Sequence, residues 1–345
     1  GVYRFMAALM AGAAVLSLFV LPRLRTSAAP RTDARRDLTG FLAVVAAVVA
    51  GVLVTDHVLR PAVPALLGPL AAGTGVAPAL QGKWNDLVVL LGGLALTLPL
   101  AAWAARRARF ETLLGGLDSY FAQPGAAAFL AFIVLYKLGD AFAGSLMTPF
   151  LLKGVGFSPA EVGVVNKVIG LWVTIGGALL GGALMLKLGL WRSLLLFGVL
   201  QAASNLGFWW LAVHGRAEGA ALMLPAFDWG FVRLPQPTPV DGGLLTVIVL
   251  ENLSGGMGTA AFVAFLMSLC NQRFTATQYA LLSAFASVGR VWVGPLAGVL
   301  AESIGWPVFF LLSTVAAVPA LVMLVRLRDA VRALEVPAGP AAADD

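Results

Sequence analysis

Long apolar runs separated by short polar segments recur from one end of the chain to the other. Nine of them approach or exceed the roughly 20 residues that a helix needs to cross the hydrocarbon of a bilayer. They lie at about 2–21, 38–58, 86–104, 126–152, 160–186, 192–213, 242–270, 276–302 and 306–325, and several stop at Pro or Gly. The pattern predicts an all-α integral membrane protein, because so many successive apolar helices with short polar loops do not fit the buried helices of a water-soluble core. The run 126–152 is different from an ordinary span: Lys137 and Asp140 sit near its middle. Three residues apart, they share one helical face. An ionisable group at that depth costs at least about 2.5–3.5 kcal/mol unless it meets a partner or a water-filled cavity. Either the two side chains neutralise each other, or their face lines a polar pathway.

The other in-span polar groups have an order. Among the last six spans, 126–152 carries Lys137 and Asp140, and 160–186 carries Asn166 and Lys167. The third, 192–213, has no charge beyond Arg192 at its mouth. The next triplet repeats the order, with Glu251 and Asn252 in 242–270, Arg290 in 276–302, and no charge in 306–325. Nested three-helix repeats around a midplane site are how secondary transporters of the major facilitator type are built. In that arrangement the third helix of each triplet lies on the lipid side, which accounts for its lack of charge.

Composition sharpens this picture. The 345 residues are 60% hydrophobic and only 12% charged, about half the charge of an ordinary soluble domain. The formal charge of +6 matters less than where the basic residues fall. With the segment after the first span placed in the cytoplasm, 14 of the 23 Lys and Arg residues are cytoplasmic and 6 lie on the opposite side. Lys137, Lys167 and Arg290 remain inside spans. The asymmetry follows the positive-inside rule and puts the carboxyl terminus in the cytoplasm. No aromatic-interleaved basic face supports nucleic-acid binding. Cys270 is the sole cysteine, and His57 and His214 lie at span ends, so neither a disulfide framework nor a metal site is expected.

Segments 59–85 and 214–241, rich in Pro, read as ordered loops or short interfacial pieces on the outer side. Residues 105–125, with Phe110, Leu113, Leu114, Tyr120 and Phe121 beside three arginines, read as a segment on the inner membrane surface or a plain linker. The tail after Glu335 reads as disordered. The first residues are not a signal peptide. Gly1 to Phe5, with the exit Arg23-Leu24-Arg25, matches Gly305 to Phe309 with the exit Arg326-Leu327-Arg328. The first span therefore reads as the final helix of an earlier repeat.

Specific motifs now point to a family. Tyr136-Lys137-Leu138-Gly139-Asp140 and Glu161-Val-Gly163-Val-Val-Asn166-Lys167 resemble AmpG-type muropeptide permeases of the major facilitator superfamily. So do Glu251-Asn252-Leu-Ser-Gly255-Gly256-Met-Gly258-Thr259 and Gly289-Arg290-Val-Trp-Val-Gly294-Pro295. Gly182, Lys187, Gly189 and Arg192 are similar to a loop motif of many major facilitators, with Leu186 at its acidic position. The resemblance implies a proton-coupled carrier that brings anhydromuropeptides from periplasm to cytoplasm across the bacterial inner membrane. It also implies a part in cell-wall recycling and in signalling β-lactamase induction. It divides the chain into the last helix of an amino-terminal half (1–25), two inserted helices (26–125), a carboxyl-terminal six-helix half (126–328) and a cytoplasmic tail (329–345). Five helices are expected before Gly1.

Within this reading, Asp140 and Glu251 are candidates for proton coupling, and equally candidates for structural ion pairing. Lys137, Asn166, Lys167, Asn252 and Arg290 are candidates for substrate binding or charge pairing; Arg290 stays charged at any working pH. Gln201 and Asn205, on an otherwise apolar helix, read as helix-joining residues. Gly255, Gly256 and Gly258 read as close-approach positions and Gly294-Pro295 as a kink. Trp209, Trp210 and Trp229 read as interface anchors. The partners expected are a small-molecule substrate, protons and the bilayer, with no cofactor. The rival readings are a carrier of another amphiphilic solute such as an acyl carrier, a non-transporting fragment, and a membrane-embedded enzyme. The last lacks an in-span His or a convergent nucleophile.

Overall fold

The computed structural model describes residues 2–20, 33–72, 77–216, 222–228, 233–271 and 274–335. The exit Arg23-Leu24-Arg25, Trp229 and the tail beyond Glu335 lie outside the described residues. Each of the nine apolar runs is helical where described, with local breaks. Helix α1 spans Val2–Val20 and exposes Met10 and Phe19. Helix α2, Ala34–Val54, continues through a π-helical turn at Thr55–Leu59 into α3, Arg60–Ala72. Helix α4 runs Pro78–Arg107 and α5 Glu111–Phe121. Among the described residues seven segments are apolar and long enough to cross a membrane; the last, Thr275–Arg326, is 52 residues long. Gly305, at φ 75° and ψ 165°, divides it into the two runs read from the sequence.

The segment 59–85 is a correction. It is mostly helix, because Pro61, Pro64 and Pro69 follow a widened π turn instead of ending the helix. In a membrane setting such local adjustment re-satisfies backbone groups that proline frees. The segment 214–241 carries short antiparallel pairs: β1 (Leu222–Leu224) with β4 (Thr238–Val240), and β2 (Phe227–Asp228) with β3 (Arg233–Leu234). Glu161, 1% exposed, fastens this region. It pairs with Arg216 at 3.1 Å and accepts the Asp241 N–H at 2.8 Å.

The carboxyl-terminal helices follow the triplet order. The first run comprises α6 (Ala126–Tyr136), α7 (Leu138–Pro149) and a π turn at Phe150–Val155. The second comprises α8 (Pro159–Gly163), a π turn at Val164–Ile169 and α9 (Gly170–Leu188). Then come α10 (Leu190–His214), α11 (Gly242–Ser268), α12 (Thr275–Val291), α13 (Val293–Ala316), α14 (Val318–Arg326) and α15 (Arg328–Ala333). Prolines explain two of the breaks. A proline ring collides with the carbonyl four residues earlier and cannot donate to it. Pro295 thus ends α12 at Val291, and Pro319 separates α14 from α13 near Ala317.

Small residues set how closely the helices approach. A Cβ on Gly181 would lie 2.7 Å from the Cα of Met257, and one on Gly177 or Gly256 would strike the carbonyl of Leu253 or Thr174. Helices α9 and α11 therefore touch backbone to backbone. Gly139 meets the Ser313 carbonyl and Ala317, so the break between α6 and α7 packs on the break between α13 and α14. Helices α2 and α4 also approach closely, Gly51 receiving the Thr97 side chain and Gly93 the side chain of Thr55 in the π turn.

The pair α2–α4 is pinned to α12–α13 at both ends. Lys83 bonds Glu302 at 2.7 Å, its stem crossing Gly298. At the other end Arg36 pairs with Glu111 at 3.2 Å, Asp37 accepts from Thr112, and Gln278 donates to the Gly116 carbonyl at 3.0 Å. Helix α5 is accordingly packed on α12, not only laid along a surface. Its Tyr120 hydroxyl, pushed up to about 12 by burial, stays protonated and donates to the Ala126 carbonyl at 3.0 Å.

Two apolar cores result. One contains Phe129, Phe132, Tyr136, Phe197, Phe262, Phe265 and Leu282. The other contains Phe142, Phe150, Phe208, Ile248, Val293, Phe309 and Phe310. Helices α10, α11 and the α6–α7 run pass from one core to the other, and the residues at the crossing are polar.

Candidate functional site

Between the two cores lies a cavity of about 410 Å³. Most of its walls come from helices that are broken or notched at that level, while α10 passes unbroken. Lys137, at φ −97° and ψ 8°, is the joint between α6 and α7. It is 6% exposed, and its ammonium donates to Gln201 Oε1 at 3.0 Å and Thr259 Oγ1 at 3.4 Å, with Asp140 Oδ2 at 3.8 Å. Tyr136, just before it, stacks on Phe262 and donates to the Leu194 carbonyl at 2.8 Å, which anchors the end of α6. Asn166 enters from the π turn ahead of α9.

Glu251 of α11 accepts from the Ser204 hydroxyl and lies within electrostatic reach of both Asp140 and Lys137. Asn252 is braced, donating to the Ile248 carbonyl and accepting from Thr174, both at 2.8 Å. Arg290, in the last turn of α12, lines this cavity and an adjoining one of about 480 Å³ that it shares with Asp140. Tyr279, Ser283 and Ser287 of α12 add hydroxyls, while Met147, Phe262, Val263 and Leu266 make an apolar wall. Such a cavity offers two cations, two carboxylates, amides and hydroxyls opposite an apolar face. It suits an amphiphilic ligand with its own charges and hydrogen-bonding groups.

Of the residues singled out from the sequence, the fold brings together Lys137, Asp140, Asn166, Glu251, Asn252 and Arg290. Lys167 is the exception, standing exposed and lining neither cavity. Asn166 is half-buried against the cavity, whereas Lys167, about a quarter-turn further round the helix, is exposed. The pair Lys137–Asp140 does both things the sequence left open: the side chains pair, and they line a cavity.

Helix α10 is where the sequence reading fell short. It carries no charge beyond Arg192 in its first turn, and Leu196, Val199 and Leu200 are exposed as expected of a lipid-side helix. Yet its opposite face carries Gln201 into the cavity and Ser204 to Glu251. The spacing of Gln201, Ser204 and Asn205 on one helical face was the available signal. Gly256 and Gly258 are tight positions, whereas a Cβ on Gly255 would meet only the Gln201 amide at 3.7 Å. Trp210 stacks on His214 at the end of α10.

The fold is that of an all-α membrane protein assembled from helix triplets in the major facilitator manner. No family model matches the chain. It is 44% identical over 278 residues to the anhydromuropeptide permease of Escherichia coli K12, covering 76% of this chain and 51% of that protein. It is 36% identical over 250 residues to an uncharacterised protein of Haemophilus influenzae, 70% of this chain and 55% of the relative. An AmpG-named transporter of Rickettsia conorii is 31% identical over 221 residues, 64% of this chain and 48% of the relative. Over three quarters of its length the chain is thus similar to a protein named as an anhydromuropeptide permease, and it spans about half the length of the curated relatives it matches. Two of these relatives are named as a permease and a transporter, which points to a non-enzyme.

Proposed function

We propose that the chain contributes the carboxyl-terminal half of a proton-coupled secondary transporter that imports anhydromuropeptides from periplasm to cytoplasm. In this reading 1–25 is the last helix of the other half, 26–125 holds two inserted helices, and 329–345 is a cytoplasmic tail. The observation that carries it is the cavity at Lys137, Asp140, Glu251 and Arg290, in a chain akin to a protein named for that substrate. A sugar–peptide ligand has hydroxyls, amides and carboxylates. Arg290 and Lys137 match the carboxylates; Asn166 and Asn252 match the hydroxyls and amides; Asp140 and Glu251 supply groups that can exchange a proton. Carriers of this type bind at the interface of two rocking halves. The test is uptake of radiolabelled anhydromuropeptide into liposomes under an inward proton gradient. The 345-residue polypeptide by itself is expected to match empty liposomes, and a fusion with five family-type helices before Gly1 to show saturable uptake. Uptake by the polypeptide alone would point to self-association, and no uptake by a well-folded fusion would overturn the reading.

The same reading places the protein in the bacterial inner membrane with its carboxyl terminus in the cytoplasm, supported by the distribution of basic residues. In a Cys270→Ser background, a cysteine at exposed Ala226 should react with an impermeant maleimide added outside intact cells. One at exposed Ala122 should react only after permeabilisation. The opposite pattern would invert the topology.

A further inference from the structure

We infer that Gln201, Ser204 and Asn205 are positioning residues of this site: helix α10 holds the broken helix α6–α7 and the Glu251 side chain in register. The inference rests on the carrier reading for its function, but its geometry stands independently. The three side chains occupy one face of α10 and are buried, at 5%, 8% and 0% exposure. Each grips a different part of the charge cluster. Gln201 Oε1 is the shortest hydrogen-bond partner of the Lys137 ammonium, at 3.0 Å against 3.8 Å for Asp140. Ser204 donates to Glu251, and its hydroxyl also lies against the Gln201 carbonyl. Asn205 donates to the Gly139 carbonyl at 3.4 Å, two residues beyond the break. With the Tyr136 hydroxyl on the Leu194 carbonyl, α10 holds the chain before, at and beyond the joint.

The facing helix is cut to admit this contact. A Cβ on Gly258 would lie 2.8 Å from Gln201 Oε1, so any larger residue there would push the amide off the lysine. The consequence is a division of labour. Lys137 is held by a neutral amide and Glu251 by a neutral hydroxyl, and Asp140 stands between them facing both cavities with Arg290. A neutral holder fixes where a charged group sits without adding charge of its own, so the balance of Lys137 is left to Asp140 at 3.8 Å and to any anionic group on a ligand. Gln201, Ser204 and Asn205 thereby act through the charged residues rather than on substrate directly.

The chain has five lysines, so the environment of Lys137 can be read by mass spectrometry after limited reductive methylation of the reconstituted 345-residue protein. In Gln201→Leu, methylation of Lys137 relative to Lys153 and Lys167 should rise several-fold. Gln201→Glu, which retains an acceptor, should return it toward the parent value. A rise shared by all five lysines would mark unfolding, and Gln201→Asn, one methylene shorter, then serves as the milder variant. An unchanged Lys137 ratio in a folded Gln201→Leu or Gln201→Asn protein would overturn the inference. In the transporting fusion, Gln201→Asn should raise the apparent KM several-fold more than it lowers the maximal rate; equal losses in both would count against positioning. Failure of the parent fusion to transport would sink the carrier reading while the methylation result still decides the role of Gln201.

Discussion

Asp140→Asn is expected to reduce proton-driven accumulation by the transporting fusion to the level of empty liposomes while substrate exchange across the membrane continues. An amide keeps the shape of the carboxylate but can neither take up nor release a proton, and it cannot balance the Lys137 charge. Asp140 is the carboxylate that faces both cavities and shares them with Arg290. Glu251 is engaged by Ser204, so Glu251→Gln is expected to weaken accumulation less severely. The measurement is paired: gradient-driven uptake and counterflow exchange on the same proteoliposomes. Accumulation with parental pH dependence in both variants and in the double variant would exclude the two carboxylates from coupling. Loss of exchange together with accumulation in Asp140→Asn would assign Asp140 to substrate binding instead.

The second large effect is structural. Gly256→Ala should strongly destabilise the protein, because the added Cβ would strike the Thr174 carbonyl and lie 2.9 Å from the Ala178 nitrogen. Both are backbone atoms, so no side chain can swing aside and α9 must move off α11. Overpacking of a close-packed interior costs about 1–3 kcal/mol when side chains can adjust, and here the adjustment falls on a whole helix. Gly176→Ala is the matched control: it lies in α9 with nothing within 4 Å of its Cβ position. That change should be neutral or stabilising, since alanine is favoured over glycine within a helix. Thermal unfolding in detergent, followed by loss of the monodisperse size-exclusion peak, separates the two variants. Equal midpoints would mean that α9 and α11 do not pack as closely as described.

Much of the architecture was legible because membrane insertion is a local property of each apolar run. The nine runs are helical where described, and the order of polar and apolar helices directed attention to residues that converge on one cavity. Where the reading failed, the cause was a feature that hydropathy does not encode. Proline density in 59–85 suggested a loop, but a π turn ahead of Pro61 lets the helix continue. Asn166 and Lys167 are both candidates from the sequence, but only Asn166 lines the cavity, because the rotation of its helix is set by packing. Gln201 was assigned to joining helices, and it does so, by bonding the lysine at the centre of the site.

What the sequence by itself determined is the set of spans, the polar residues they carry and the motifs shared with muropeptide permeases, all of which depend on residues near one another in the chain. Only the tertiary structure decided which polar groups meet. Lys137, Gln201 and Thr259 are up to 122 positions apart, and their hydrogen bonds require the break at Lys137, the rotation of α10 and the notch at Gly258 together. A helix's rotation about its axis is set by the backbone contacts that its glycines allow, and those contacts exist only once the helices have packed.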